Sequence, residues 1–216
     1  MTRPCVILVA DSQIAAAFKG YFGRAQWHLS LGCAPFDFST EIGGDLIVDE
    51  SGNDPGVYTR GHELLRPFQG SHERALVVLD CEWEGSPGKQ AIEQHITGKL
   101  VASGWVQDKV KVIAIDPELE NWLWQDNPNV AVALNYKGQP PLRQWLEQNG
   151  WWPQGAAKPP RPKEAAEWVL RQTRTPRSSA IYQQLAARVG IAGCTDAGFV
   201  AMHAQLQAWF PQGGQV

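Results

Sequence analysis

Three short apolar runs, each closed by acid, constrain the fold of this chain more than any other feature. They are VILVAD (6–11), ALVVLDCEWEG (75–85) and VKVIAIDPELENWLW (110–124). An unbroken run of β-branched and aliphatic residues, without alternation, marks a strand covered on both faces, as in a parallel sheet between helix layers. Segments of helical character lie between the runs. Ile14, Ala15, Ala17, Phe18 and Phe22 suit a helix lying on the sheet, with Asp11 or Ser12 as N-cap. Residues 86–104 suit another, with Pro87 near its start and Gly104 just past its end. Alternation of strand and helix predicts a mostly parallel α/β sheet flanked by helices. Ligands of such sheets bind beyond the carboxyl ends of the strands. Asp11, Asp80, Glu82, Asp116, Glu118 and Glu120 therefore fall on one edge.

The remaining segments read less sharply. Residues 27–31 alternate like a second strand. Residues 33–56 are rich in Gly, Asp, Ser and Pro and read as a long loop, with one strand-like piece at 45–50. Residues 58–68 suit a helix and 109–115 a strand. Asp116 is placed to cap a helix with Pro117 at its first position and Glu118 and Glu120 in its first turn. Further on, a short helix ends at Gly150. The Pro/Lys/Arg stretch 154–163 is a linker, and 163–172, 180–189 and 197–210 are helix candidates. The organisation expected is an α/β domain over 1–153 and a helical extension over 154–216. That extension is too short for a core of its own and docks on the first part.

Composition bounds the function classes. A net charge of -3 gives no global attraction to nucleic acid, though it leaves room for a local basic groove. Four scattered cysteines without CxxC spacing argue against zinc and for reduced thiols in the cytoplasm. Neither a secretory signal nor a bilayer-spanning stretch is expected, hence no membrane partner. The ten tryptophans either pack between helices or form an aromatic surface that stacks bases or buries a partner.

The chemistry lies in the acids. Convergent carboxylates repel unless a cation sits between them, and oxygen ligands without His or Cys favour Mg²⁺ or Mn²⁺. Asp80 and Glu82, at i and i+2 after a buried strand, either chelate such an ion or form a solvated acidic loop. Glu118 and Glu120 serve the helix dipole or complete the metal site, and Asp11 is a cap, a ligand or a base. The histidines lack partner spacing. G-x-S-x-G, Walker A and G-x-G-x-x-G motifs are absent, which disfavours serine hydrolysis and glycine-loop nucleotide binding. Basic residues gather between Lys158 and Arg188. They solvate a linker and helix faces, or they make a phosphate-binding surface. Arg171, Arg174 and Arg177 are the candidates for a clamp beside the acids.

A strand ending near an acid, then a later strand ending in an acid-x-acid pair, resembles the Toprim domain of topoisomerases, primases and OLD-type nucleases. With KPPRPKEA and SAIYQQLAARV following, the chain looks more narrowly like small stand-alone Toprim-like proteins encoded near bacterial phage-defence genes. The resemblance implies a Toprim-like fold and Mg²⁺-dependent phosphodiester hydrolysis of DNA or RNA in antiviral defence. It puts Asp11 at the acid/base position and Asp80 and Glu82 at the metal-binding pair. It matches Glu120 and Trp122 to a glutamate–tryptophan feature of the small relatives. Two departures stand out: Asp11 replaces a glutamate, and Glu82 replaces the second aspartate of D-x-D. The competing class is a catalytically inactive subunit that docks on another defence protein.

Overall fold

The computed structural model describes residues 2–50, 52–125, 127–190 and 194–213. Four strands, β1 (Val6–Val9), β2 (Leu46–Val48), β3 (Ala75–Asp80) and β4 (Val110–Ile115), form one sheet in the order β2-β1-β3-β4. Every pairing is parallel; Val6 stands beside Ala75, and Asp80 beside Ile115. Ile7, Leu8, Leu76, Leu79 and Ile113 are fully buried, so both faces of the sheet are covered. Among the described residues ten helices do the covering. They are α1 (Ser12–Phe22), α2 (Trp27–Leu31), α3 (Asp54–Leu65), α4 (Lys89–Ala102), α5 (Glu120–Leu123), α6 (Pro128–Ala133), α7 (Leu142–Gln148), α8 (Pro162–Gln172), α9 (Ser179–Arg188) and α10 (Ala197–Trp209). The chain is an α/β protein with an all-parallel sheet.

The C-terminal helices close on the sheet. Helix α9 packs along α1, and α10 packs against β4. On α1, Ala15, Ala16, Ala17 and Gly20 are buried. A Cβ at Gly20 would stand 2.1 Å from the carbonyl oxygen of Gln183 in α9. The helices approach so closely that only glycine fits there. Arg24, just past α1, donates to the carbonyls of Ala186 and, at 2.6 Å, Val189. None of the ten tryptophans is exposed. Trp145 lies 4.6 Å from Tyr136 and 4.5 Å from Trp168 of α8, and Trp124 lies 5.6 Å from Trp152. These rings pack between helices, while Trp27, Trp83, Trp145, Trp151 and Trp168 keep part of their surface in solvent.

Two local expectations are corrected. Residues 27–31 form helix α2, not a strand. In one helical turn Trp27 and Leu31 share a face, and Leu31 is buried while Leu29 is exposed. Gly32, at φ 60°, then ends the turn. Asp116 caps no helix. It is exposed and joined to Pro117 by a cis peptide bond, and α5 begins only at Glu120. Backbone contacts account for this. The Pro117 carbonyl accepts the N–H groups of Cys81 and Glu82, which ties 116–118 to the turn after β3 instead of leaving it free to wind.

At the amino ends of the strands lies a compensated charge. Asp45, just before β2, is fully buried. Its carboxylate accepts from Arg3 through both Nε and Nη2 (the latter 2.5 Å), from the Ser39 N–H (2.6 Å), and pairs with His72 Nε2 (2.9 Å). Burial pushes its pKa up, but these hydrogen bonds outweigh it and hold the carboxyl below its ordinary range.

Candidate acidic site at the carboxyl edge of the sheet

All four strands run into an aspartate: Asp11, Asp49, Asp80 and Asp116. Asp49 is buried and paired with Arg60 at 3.0 Å, and Asp116 faces solvent, so the chemistry concentrates between β1 and β3. Asp11 caps α1, accepting from the N–H groups of Gln13 (2.7 Å) and Ile14 (2.8 Å). Asp80, half-buried at the end of β3, accepts from the Leu119 N–H at 2.8 Å. Its own N–H donates at 2.7 Å to Asp54, in the first turn of α3. Burial drives the Asp80 carboxyl well above its usual range, and the charges of Asp54, Glu120, Asp11 and Glu118 add to the effect. Burial, with Asp11 adding, likewise pushes Asp54 up to about 6, against the hydrogen bond from Asp80. Five acids thus form one electrostatic group.

The two glutamates of this group are held by cations from the C-terminal helices. Glu118 accepts from the Lys163 N–H (3.0 Å) and pairs with Lys163 Nζ (3.3 Å). Burial and Glu120 still raise its pKa. Glu120 accepts from the Tyr182 hydroxyl (2.5 Å) and from Arg177 (2.9 Å). Burial and Glu120 push the Tyr182 hydroxyl up, so it stays a donor. Of the three arginines, Arg177 reaches this edge, while Arg171 and Arg174 are exposed near the end of α8.

Glu82 lies elsewhere in character. It is exposed in the turn after β3, and the charges acting on Asp80 come from the other acids. Asp54 stands beside Asp80 where the sequence pattern points to Glu82. Sequence reasoning gave Asp54 no role, because it placed the residue in a long loop. The signal was there: Asn53 followed by Asp-Pro is a helix start, and Asn53 caps α3 by accepting from Gly56. Among the described residues, no three His, Cys, Asp or Glu side chains gather tightly enough to hold a metal ion by themselves.

No family model, curated protein or solved structure matches this chain. Its site is therefore read from its own chemistry.

The raised Asp54 pKa has a measurable sign. The fold favours the protonated form, so the stability it contributes is full below the unfolded value near 3.8 and is lost as pH rises through about 6. Discounted for solvent access at a half-buried group, the loss is on the order of 1–2 kcal/mol. Denaturant midpoints from pH 4 to 7 should fall more steeply for wild type than for Asp54→Asn, which keeps the acceptor for the Asp80 N–H. Parallel curves would show that Asp54 titrates normally.

Proposed function

We propose that this chain is a Toprim-like phosphodiesterase that uses Mg²⁺ or Mn²⁺ to hydrolyse nucleic acid. The observation that carries the reading is the Asp11–Asp54–Asp80 group at the carboxyl edge, like charges crowded at a sheet's usual ligand-binding edge. The donor set is all oxygen, which fits a hard cation. Mg²⁺ is commonly bound through one or two carboxylates, with water and substrate phosphate filling its other positions, so fewer than three converging acids suffice. Asp54 and Asp80 would hold it. A bound cation supplies neutralisation of phosphate charge and a more acidic water. Asp11, fixed by the Gln13 and Ile14 N–H groups, would serve as the base for such a water. Defence against foreign DNA follows from the resemblance in the sequence, and with it a bacterial cytoplasmic setting. Among the described residues no helix is long and apolar enough to cross a membrane.

A Mn²⁺ titration followed by calorimetry tests the reading. Wild type should bind, Asp80→Asn should bind at least tenfold more weakly, and cleavage of single- or double-stranded substrate should be lost with it. Equal binding by the two proteins, or wild type that neither binds nor cleaves, would sink it. One observation favours a second reading, an inactive docking subunit. Glu118 and Glu120, two expected ligands, are engaged by Lys163, Arg177 and Tyr182 and fasten helices together.

A further inference from the structure

We propose that the hollow at the C-terminal end of α8 binds the phosphate backbone of a nucleic-acid strand and leads it to the acidic edge. The hollow has a volume of about 360 Å³, and Arg171, Arg174, Thr175 and Arg177 line it together with Glu167. Three guanidinium groups and one carboxylate line it, and Arg177 is also paired with Glu120. Glu167 is shared between Arg177 (2.7 Å) and Arg171 (3.8 Å), which leaves Arg174 without a carboxylate among the described residues. Guanidinium forks suit phosphate oxygens because they donate two parallel hydrogen bonds.

The backbone supplies a second, independent argument. The Thr175 N–H bonds back to the Leu170 carbonyl at 2.9 Å, closing the helix with a Schellman turn, and Arg174 occupies its left-handed position at φ 52°. Glycine is the usual residue there, and any other side chain is strained. An arginine at this strained position, like Gln26 and Asn135 elsewhere, is an outlier that motivates a functional role for its exposed side chain. The path to the acids is short. Arg177 lines the hollow and also donates to Gln13 (2.8 Å) and Glu120 (2.9 Å), and the Gln13 N–H is bound by Asp11. A strand seated on the arginines would therefore run onto the carboxyl edge. This orientation rests on the reading of that edge as the phosphodiester site; the binding itself does not.

The test is anisotropy of a labelled single-stranded oligonucleotide in EDTA, over about 50 to 200 mM salt. Wild type should bind with a clear salt dependence. Arg171→Ala/Arg174→Gly should bind roughly tenfold or more weakly, with the salt slope shallower by about 1.4, the loss of two phosphate contacts at about 0.7 each. Arg174→Gly relieves the left-handed strain, so its melting temperature should be unchanged or higher, which separates lost binding from lost fold. Binding and slope unchanged in the double variant would overturn the proposal. So would wild type that binds no oligonucleotide, including wild type that captures only inorganic phosphate at matched ionic strength. Because EDTA removes divalent cations, this outcome is read separately from the Mn²⁺ titration.

Discussion

Gly20→Val is expected to cost about 3 kcal/mol or more and to pry the C-terminal helices from the sheet. The arithmetic of space decides it. Even a bare Cβ would lie 2.1 Å from the Gln183 carbonyl oxygen and 3.1 Å from the Ala187 nitrogen, both backbone atoms on α9. Backbone cannot rotate aside as a side chain can, so α1 and α9 must separate. Their contact carries Ile181, Tyr182 and Leu185 into the core, all buried. Denaturant unfolding, with hydrogen exchange on α9, gives the measurement. Gly98 on α4 is the control: nothing lies within 4 Å of its Cβ position. Gly98→Ala should gain up to about 1 kcal/mol from helix propensity alone. A Gly20→Val protein with wild-type stability and protected α9 amides would refute the close packing of these helices.

Among the five acids of the carboxyl edge, Glu120→Ala should be the most damaging change, at about 3 kcal/mol. Two effects compete. Removing the carboxylate relieves repulsion on Asp80 and Glu118, both pushed up by it. It also strips the Tyr182 hydroxyl and the Arg177 guanidinium of an acceptor at 2.5 and 2.9 Å. Direct contacts outweigh repulsion at longer range, because a half-buried cation left without its partner keeps the full cost of desolvation. Arg177 retains Glu167, which puts the estimate at the lower end of the range for broken buried pairs. Chemical denaturation of the metal-free protein measures it. A gain in stability would mean that repulsion dominates and that Glu120 groups electrostatically with Asp54 and Asp80.

The sequence was legible where a single signal sufficed. β1, β3 and β4 are uninterrupted apolar runs because both faces are covered, and from them the parallel sheet follows. The edge shared by Asp11 and Asp80 follows in turn, since each stands at the carboxyl end of a strand. Short segments defeated pattern reading: five residues at 27–31 fit one helical turn as well as two periods of a strand. Asp116 looked like a cap because local chemistry favoured it. Contacts from Pro117 to the turn after β3, more than thirty positions earlier in the chain, decided otherwise. Asp54 was hidden by its Gly- and Asp-rich surroundings. Partners were the least legible. Glu118 meets Lys163 across 45 positions, and Glu120 meets Arg177 and Tyr182 across 57 and 62. No local window contains such pairings.

The matched charges around Asp45 have a consequence for how this protein can change. They sit at the opposite end of the strands from Asp11, Asp54 and Asp80. Six residues of β3 put about 20 Å between the two ends. At that distance, with an effective dielectric constant near 20, two unit charges interact by less than about 1 kcal/mol before salt screening. Each end is therefore nearly deaf to the other. Charges at the carboxyl edge can be gained, lost or swapped without unsettling the compensated foot of the sheet. A chain built this way can exchange the acids of its carboxyl edge while keeping one fold.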